Sequence, residues 1–235
     1  MNDFMMMDWV YLLSGMFALA ATAGFLAGLL GIGGGLVLVP GLYFVFTTLG
    51  FDSPDIMHLA VGTSLSTIMA TSLSSARSHH KRGNVRFDLV KKIGVGLVIG
   101  VGIGTLIAAR VSGLWLQVFF AVTLVVLAGV MLINPEKITW MKEVPNQPWP
   151  AVAGTGIGIV ATLMGIGGAA LNVPYMTMNN VRIHQAIGSA ATMGLLIAIP
   201  GAIGFVIIGL MGPDHGAGFP PFSLGYVNLL ALAVI

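Results

Sequence analysis

Cysteine is absent from the chain, which removes disulfide frameworks and thiolate sites from consideration. Acidic residues are missing where they would matter most. None of the long apolar runs holds Asp or Glu, and Lys and Arg stand only at the ends of those runs. This excludes a proton pump built on a buried acidic relay. It also excludes a metal carrier, whose path needs clustered His, Asp, Glu or Cys. Five histidines are present, and His79-His80 fall in a basic loop as solvated residues. No metal and no cofactor is expected. Residues 1–8 contain two aspartates and no Lys or Arg. Without the basic start of a signal peptide, the first apolar run is expected to be retained as a span.

What is present is apolar. Hydrophobic residues make up 57% of the chain and charged residues 8%, with a mean hydropathy of +0.97. That composition belongs to integral membrane proteins and leaves no stretch for a water-soluble domain. The apolar runs cover residues 9–30, 33–50, 57–76, 89–110, 114–133, 150–166, 168–180, 185–211 and 223–235. A span needs about 20 residues, and most runs qualify. The run 168–180 is short and holds Asn172 and Pro174, which predicts a half-helix that stops inside the membrane. Basic residues set orientation. Arg77, Lys81, Arg82, Arg86, Lys91 and Lys92 crowd one loop, and Lys137 and Lys142 lie in the 134–149 connection. Both loops are expected in the cytoplasm, with the N-terminus and the loop carrying Asp214 outside. Arg110 alone runs against this scheme.

The chain is organised around a repeated glycine element. Gly31-Ile32-Gly33-Gly34-Gly35 is followed by Pro40, and Gly165-Ile166-Gly167-Gly168-Ala169 by Pro174, at the same spacing. Glycine and proline are the poorest helix formers. Freed backbone groups inside a bilayer must find partners. Paired breaks in two halves therefore point to a transporter binding site. The plainer reading is close helix packing. A dinucleotide reading of Gly165-x-Gly167-x-x-Ala170 lacks its preceding strand, and no nucleic-acid partner is expected. The similarity extends further. His58-Leu59-Ala60-Val61-Gly62-Thr63 matches His184-Gln185-Ala186-Ile187-Gly188-Ser189, and Gly83-Asn84-Val85 matches Gly225-Tyr226-Val227. The expected architecture is an all-α polytopic bundle of two homologous repeats with glycine-broken helices. The first repeat covers 1–133, a cytoplasmic linker 134–149 and the second repeat 150–235, which is expected to be incomplete. Five crossings per unit make the repeats inverted and four make them parallel; charge placement favours inversion.

The polar character of the spans is hydroxyl. Ser64, Thr67, Thr71, Ser74 and Ser78 recur at spacings of three and four, one face of a helix. Each could simply bond back to a carbonyl one turn earlier; as a stripe they read as a pathway-lining face. The matching helix offers only Ser189 and Thr192 before Pro200. Hydroxyls, backbone N–H groups and broken helices without acids suit a small anion, because a helix N-terminus carries partial positive charge and unpaired donors. His58 and His184 begin matching helices. They are either caps or candidates for proton coupling near neutral pH. Gly96, Gly100 and Gly104 form a packing ladder, within one protomer or in a homodimer. An enzyme is not expected. Ser64 and His58 lie nearly opposite on one helix, too far apart to act as nucleophile and base.

Together, the glycine element with Pro40, the stretch Ala60-Val61-Gly62-Thr63-Ser64-Leu65 and the turn His80-Lys81-Arg82-Gly83-Asn84-Val85 resemble the TauE/SafE sulfite-exporter family of bacterial membrane transporters. The resemblance implies a multi-pass inner-membrane permease for sulfite, an organosulfonate or a related sulfur-containing anion. A passive anion channel is the alternative. The family's repeated elements fall on Gly33, Gly34, Gly35, Pro40, Gly62, Thr63 and Ser64, and on Gly167, Gly168, Pro174, Gly188 and Ser189. Thr67, Asn172 and Thr192 complete the expected substrate-binding set. The second copy departs from the pattern, with Ala169 in place of a glycine and Asn172 adding an amide beside the break.

Overall fold

The fold was analysed in a computed structural model that describes residues 6–30, 34–51, 53–132, 141, 144–212 and 218–235, with residues 6–12 and 26–30 as backbone only. Among these the chain is helical almost throughout. The helices are α1 (Met6–Leu30), α2 (Gly35–Thr48), α3 (Ile56–Lys81), α4 (Phe87–Ala108), α5 (Gly113–Leu132), α6 (Trp149–Met164), α7 (Ala169–Met178) and α8 (Ile183–Met211). A short antiparallel hairpin follows, β1 (Ser223–Leu224) and β2 (Val227–Asn228), then α9 (Leu229–Val234). Four helices, α3, α4, α5 and α8, are long and apolar enough to cross a membrane.

The pattern of exposure matches a lipid solvent. Phe17, Phe25, Phe44, Leu106 and Val125 face outward, while Phe46, Leu59, Leu65, Leu97, Met164 and Phe205 are fully buried. Scattered apolar residues occur on any protein surface, but whole outward helix faces of this kind need an apolar surrounding.

Two helix pairs form the centre: α4 against α6, and α3 against α8. The first pair is a glycine contact. Side chains at Gly96, Gly100, Gly154 and Gly158 would run into backbone of the opposite helix. The ladder Gly96-Gly100-Gly104 is therefore used within the chain, where missing side chains let two backbones approach. The second pair runs antiparallel. The start of α3 touches the hairpin, since Tyr226 donates to Asp55 at 2.9 Å. The far end of α3, about 39 Å away for 26 residues, leads into the Asn84 turn, which packs on Gly188 near the start of α8. At its own far end, α8 returns to the hairpin through Gly209, where a side chain would meet Gly225 and Tyr226.

The glycine elements interrupt the helices. In the second, α6 stops at Met164 because Gly165 turns left-handed at φ +67, and α7 starts after Gly168 at φ +72. These conformations carry a steric penalty for any residue with a Cβ. In the first, α1 ends at Leu30 and α2 starts at Gly35; Gly31, Ile32 and Gly33 lie outside the described residues. The half-helix expected over 168–180 is the ten-residue α7. The run 223–235, expected as one apolar segment, divides instead. Phe222 (φ +64) and Gly225 (φ +54) turn the chain into the hairpin before α9 begins.

Candidate functional site

The two glycine junctions meet in the interior. A methyl group on Gly35 would come within 2.6 Å of the Gly165 carbonyl oxygen and 2.9 Å of Ile166 Cα. Ser64, fully buried on α3, donates its hydroxyl proton to that same Gly165 oxygen at 2.8 Å. Ser64 thus joins the third helix of the first half to the break of the second.

Flanking contacts are reciprocal. Gly62 packs on the carbonyl of Tyr226, and Gly188 on the carbonyl of Asn84. Thr63 Oγ1 accepts from the Asn228 N–H at 2.9 Å, and Ser189 Oγ accepts from the Arg86 N–H at 2.9 Å. Gly62 and Gly188 are matched in the sequence, as are Thr63 and Ser189, and the turns they touch are matched too. Each half's glycine-hydroxyl pair holds the other half's turn.

At α7 the geometry is that of an open donor site. Gly168 caps the helix and, being a glycine, offers its first N–H groups no side-chain cap. The first turn of any α-helix leaves such donors without partners. Leu171 and Asn172 bond back to the Gly168 carbonyl at 3.1 and 2.7 Å, so the unbonded donors are those before them. Asn172 is fully buried, and neither Nδ2 nor Oδ1 has a hydrogen-bond partner among the described residues. Its side chain folds back to the helix start, as helical side chains do: a Cβ on Gly168 would lie 2.9 Å from Asn172 Nδ2. Across the gap, a methyl on Gly194 of α8 would approach Ser72 Oγ to 2.6 Å and the Gly167 carbonyl to 3.3 Å. Gly168 lies against the amide, and the adjoining Gly167 meets Ser72 and Gly194. Ile68 and Ile197 supply apolar walls.

The remaining expected residues are distributed around this centre. Gly34 caps α2, and Pro40 and Pro174 lie inside α2 and α7. Pro40 is exposed and Pro174 half-buried. Thr67 is buried and donates to the Ser64 carbonyl at 2.8 Å; Thr192 donates to the Gly188 carbonyl at 3.2 Å. Thr71 bonds back to the Thr67 carbonyl, and Ser74 and Ser78 are exposed. Along the stripe, Thr67 and Thr71 bond locally, and Ser64 reaches another segment, the Gly165 carbonyl. Ser72 escaped the periodicity argument because it stands one position off the stripe; only the facing Gly194 brings it to the site.

The two histidines differ. His58 is 1% exposed, with Nε2 3.1 Å from the Ala108 carbonyl and Nδ1 3.3 Å from Asp55. His184 is exposed. The His58 ring holds the Asp55 carboxyl below the usual carboxylate range; burial pushes it the other way, and the Tyr226 hydroxyl adds to the lowering. No group of three or more metal-capable side chains occurs among the described residues.

Residues 16–235 match the family described as Sulfite exporter TauE/SafE. A "Probable membrane transporter protein" of Haemophilus influenzae is 36% identical over 90% of this chain and 79% of its own length. One from Methanocaldococcus jannaschii is 27% identical over 90% and 78%. The "Probable membrane transporter protein YdhB" of Bacillus subtilis is 24% identical over 80% and 76%. No solved structure matches the chain.

Proposed function

The chain belongs to the sulfite exporter TauE/SafE family, and we propose that it is a secondary carrier for a small sulfur-containing anion such as sulfite or an organosulfonate. The observation that carries this reading is the start of α7, where first-turn N–H groups that the helix itself leaves unbonded adjoin a buried amide without partners among the described residues. Buried polar atoms are nearly always paired. An oxyanion with several acceptor oxygens would pair the N–H donors and Asn172 Nδ2 at once. The partial positive charge of the helix start favours that anion without a buried Arg or Lys. Binding stays reversible for the same reason. Ser72 and the Gly167–Gly168 backbone complete the first contact set. Gly33–Gly35, Pro40, Gly62, Thr63, Ser64, Thr67, Pro174, Gly188, Ser189 and Thr192 shape the junctions around it. Ser64 already spends its proton on Gly165, so its contribution is to hold the break in place.

We further propose that the halves are inverted repeats in the inner membrane of a bacterium, with the Arg82 loop cytoplasmic and the hairpin side outside. The antiparallel course of α3 and α8 and the reciprocal turn contacts support this, as does the concentration of Lys and Arg at the Arg82 end. No chemical step is assigned to the site, because no nucleophile stands beside a base there; the reading is transport, not catalysis.

The test has two parts. Thermal stability of purified protein is measured against sulfite, thiosulfate, sulfoacetate, taurine and sulfate. A ligand of the native state raises the apparent melting temperature. The shift is expected for at least one sulfur anion and absent in Asn172→Leu. Counterflow in proteoliposomes then separates a carrier from a channel: exchange accelerates when the far side is preloaded with the same anion. Equal rates with and without preload would favour the channel.

A further inference from the structure

We propose that Asp55 and His58 hold one exchangeable proton at the outer mouth of the protein, and that Tyr226 links this proton to the contact between the two halves. The inference rests on the carrier reading for its role in transport, but the proton site itself stands on separate geometry.

A carbonyl oxygen can only accept. The His58 nitrogen 3.1 Å from the Ala108 carbonyl therefore carries hydrogen. The other ring nitrogen lies 3.3 Å from Asp55 Oδ1. An ionised carboxylate also only accepts. Either that nitrogen or the carboxyl oxygen must hold a second proton, or two lone pairs face one another inside the protein. Nδ1 is buried and makes no hydrogen bond among the described residues, so its 3.3 Å approach to the carboxylate is the observation that calls for a proton between them. The ring is enclosed: it stacks on Tyr226 with centroids 5.0 Å apart, and Tyr226 is met edge-on by Phe205 and Phe219. Among the described residues, Asp55 and Tyr226 are the titratable groups that face it. α4 presents the Ala108 carbonyl, Arg110 beyond it is exposed, and α8 presents Phe205.

Access is provided by a cleft. A cleft of about 340 Å³ is lined by Tyr43, Thr47, Phe51, Ser53, Asp55 and Gln117 among others. The Asp55 side chain is 30% exposed while that of His58 is 2% exposed. Water in the cleft reaches the carboxylate, and the imidazole is reached through it.

The link to the rest of the protein runs through Asp55 Oδ2, which accepts from Tyr226 at 2.9 Å. Tyr226 sits in the hairpin whose backbone packs on Gly62 and whose Asn228 N–H holds Thr63. Loss of the proton puts Asp55 and the bare ring nitrogen in opposition. Asp55, the exposed member, then swings toward the cleft and draws on Tyr226. The hairpin contact with α3 is thereby biased by proton occupancy. Among the described residues His184 is exposed and has no such enclosure. The proton site lies on the hairpin side.

The test uses the full chain in lipid nanodiscs, labelled with ¹⁵N-histidine. Five histidines give resolvable signals, and His58 is assigned by its loss in His58→Gln. The expected result is a protonated Nδ1 at His58 that is retained in Tyr226→Phe and lost in Asp55→Asn, where the new amide can donate to the ring. An Nδ1 that stays bare from pH 5 to 8, or one that stays protonated in Asp55→Asn, overturns the proposal. In proteoliposomes, the rate of sulfite or thiosulfate uptake with an inward proton gradient is divided by the rate without it, so that insertion levels cancel. A several-fold ratio in the wild type is expected to fall to one in Asp55→Asn and in His58→Gln. An unchanged ratio in both removes the coupling role. If neither anion moves at all, the carrier reading fails for these substrates, and the ¹⁵N result still decides the proton site.

Discussion

The two glycine junctions start from similar residues and end with different chemistry. α2 begins Gly35-Leu36-Val37-Leu38-Val39-Pro40 and α7 begins Ala169-Ala170-Leu171-Asn172-Val173-Pro174. Two residues before each proline stands Leu38 or Asn172, and both are buried. Leu38 joins the apolar interior. Asn172 puts an amide there with nothing to pair it. An unpaired buried polar group costs about 1–3 kcal/mol. A matched position in the same chain avoids that cost with leucine, so packing does not require the amide. On the proposed reading, one junction is a wall and the other a site.

The largest expected effects test the frame that the halves share. A methyl at Gly62 collides with the Tyr226 carbonyl, and one at Gly188 with the Asn84 carbonyl. Backbone cannot give way as a side-chain tip can, so each Gly→Ala change is expected to cost about 3 kcal/mol or more, the upper part of the overpacking range. Both variants should lose most folded protein in detergent, measured by size-exclusion recovery and thermal melting. Gly102→Ala and Gly129→Ala meet open space and should melt at or slightly above the wild-type temperature, since alanine is the better helix former. If Gly188→Ala is as well tolerated as Gly102→Ala while Gly62→Ala is not, the contacts are not equivalent and the pairing of the halves is undone.

The next effect sharpens the contrast between Leu38 and Asn172. Asn172→Leu removes the amide proposed to donate to the anion, and a hydrogen bond to a charged group contributes about 1.5–3 kcal/mol. Affinity by calorimetry should fall about tenfold to a hundredfold, at 1.4 kcal/mol per decade. The ligand-free protein should melt higher, because an unpaired buried amide is gone. The opposite signs separate a binding role from a structural one. A variant that melts lower and binds equally well would make Asn172 a packing residue.

Much of this was legible before any coordinates. The apolar runs gave the helices to within a few residues, and the short run with Asn172 and Pro174 became α7. Local signals suffice there: the left-handed Gly165 and Gly168 separate α6 from α7, although Pro40, Pro174 and Pro200 lie inside helices. What could not be read depends on partners far along the chain. His58 and His184 look alike in sequence, yet Tyr226, 171 positions from Asp55, closes over only one of them. Asp55 read as one more outside acid. Ser72 was invisible to a three-four spacing because its partner, Gly194, lies on another helix. The hairpin inside 223–235 was masked by its hydrophobicity, and a positive φ at Phe222 has no sequence signature.

The smallest expected effect concerns Ser64, the bond that ties the two junctions together. Its hydroxyl donates to the Gly165 carbonyl at 2.8 Å in the interior. Interhelical hydrogen bonds of this kind in membrane proteins contribute about 0.6 kcal/mol on average and rarely more than about 2. Ser64→Ala should therefore fold and insert. Gly165 is the residue whose left-handed turn ends α6, three positions before the cap of α7. Loosening it blurs the position of the donors at the α7 start, and anion affinity should drop several-fold. Ser78, on the same face but exposed near the basic loop, provides the control, and Ser78→Ala should leave affinity unchanged. Calorimetry on both variants decides the matter. If Ser64→Ala and Ser78→Ala bind alike while replacing Arg77 or Arg182 abolishes binding, the anion is held by boundary arginines. The asymmetry between the two junctions would then have no part in recognition.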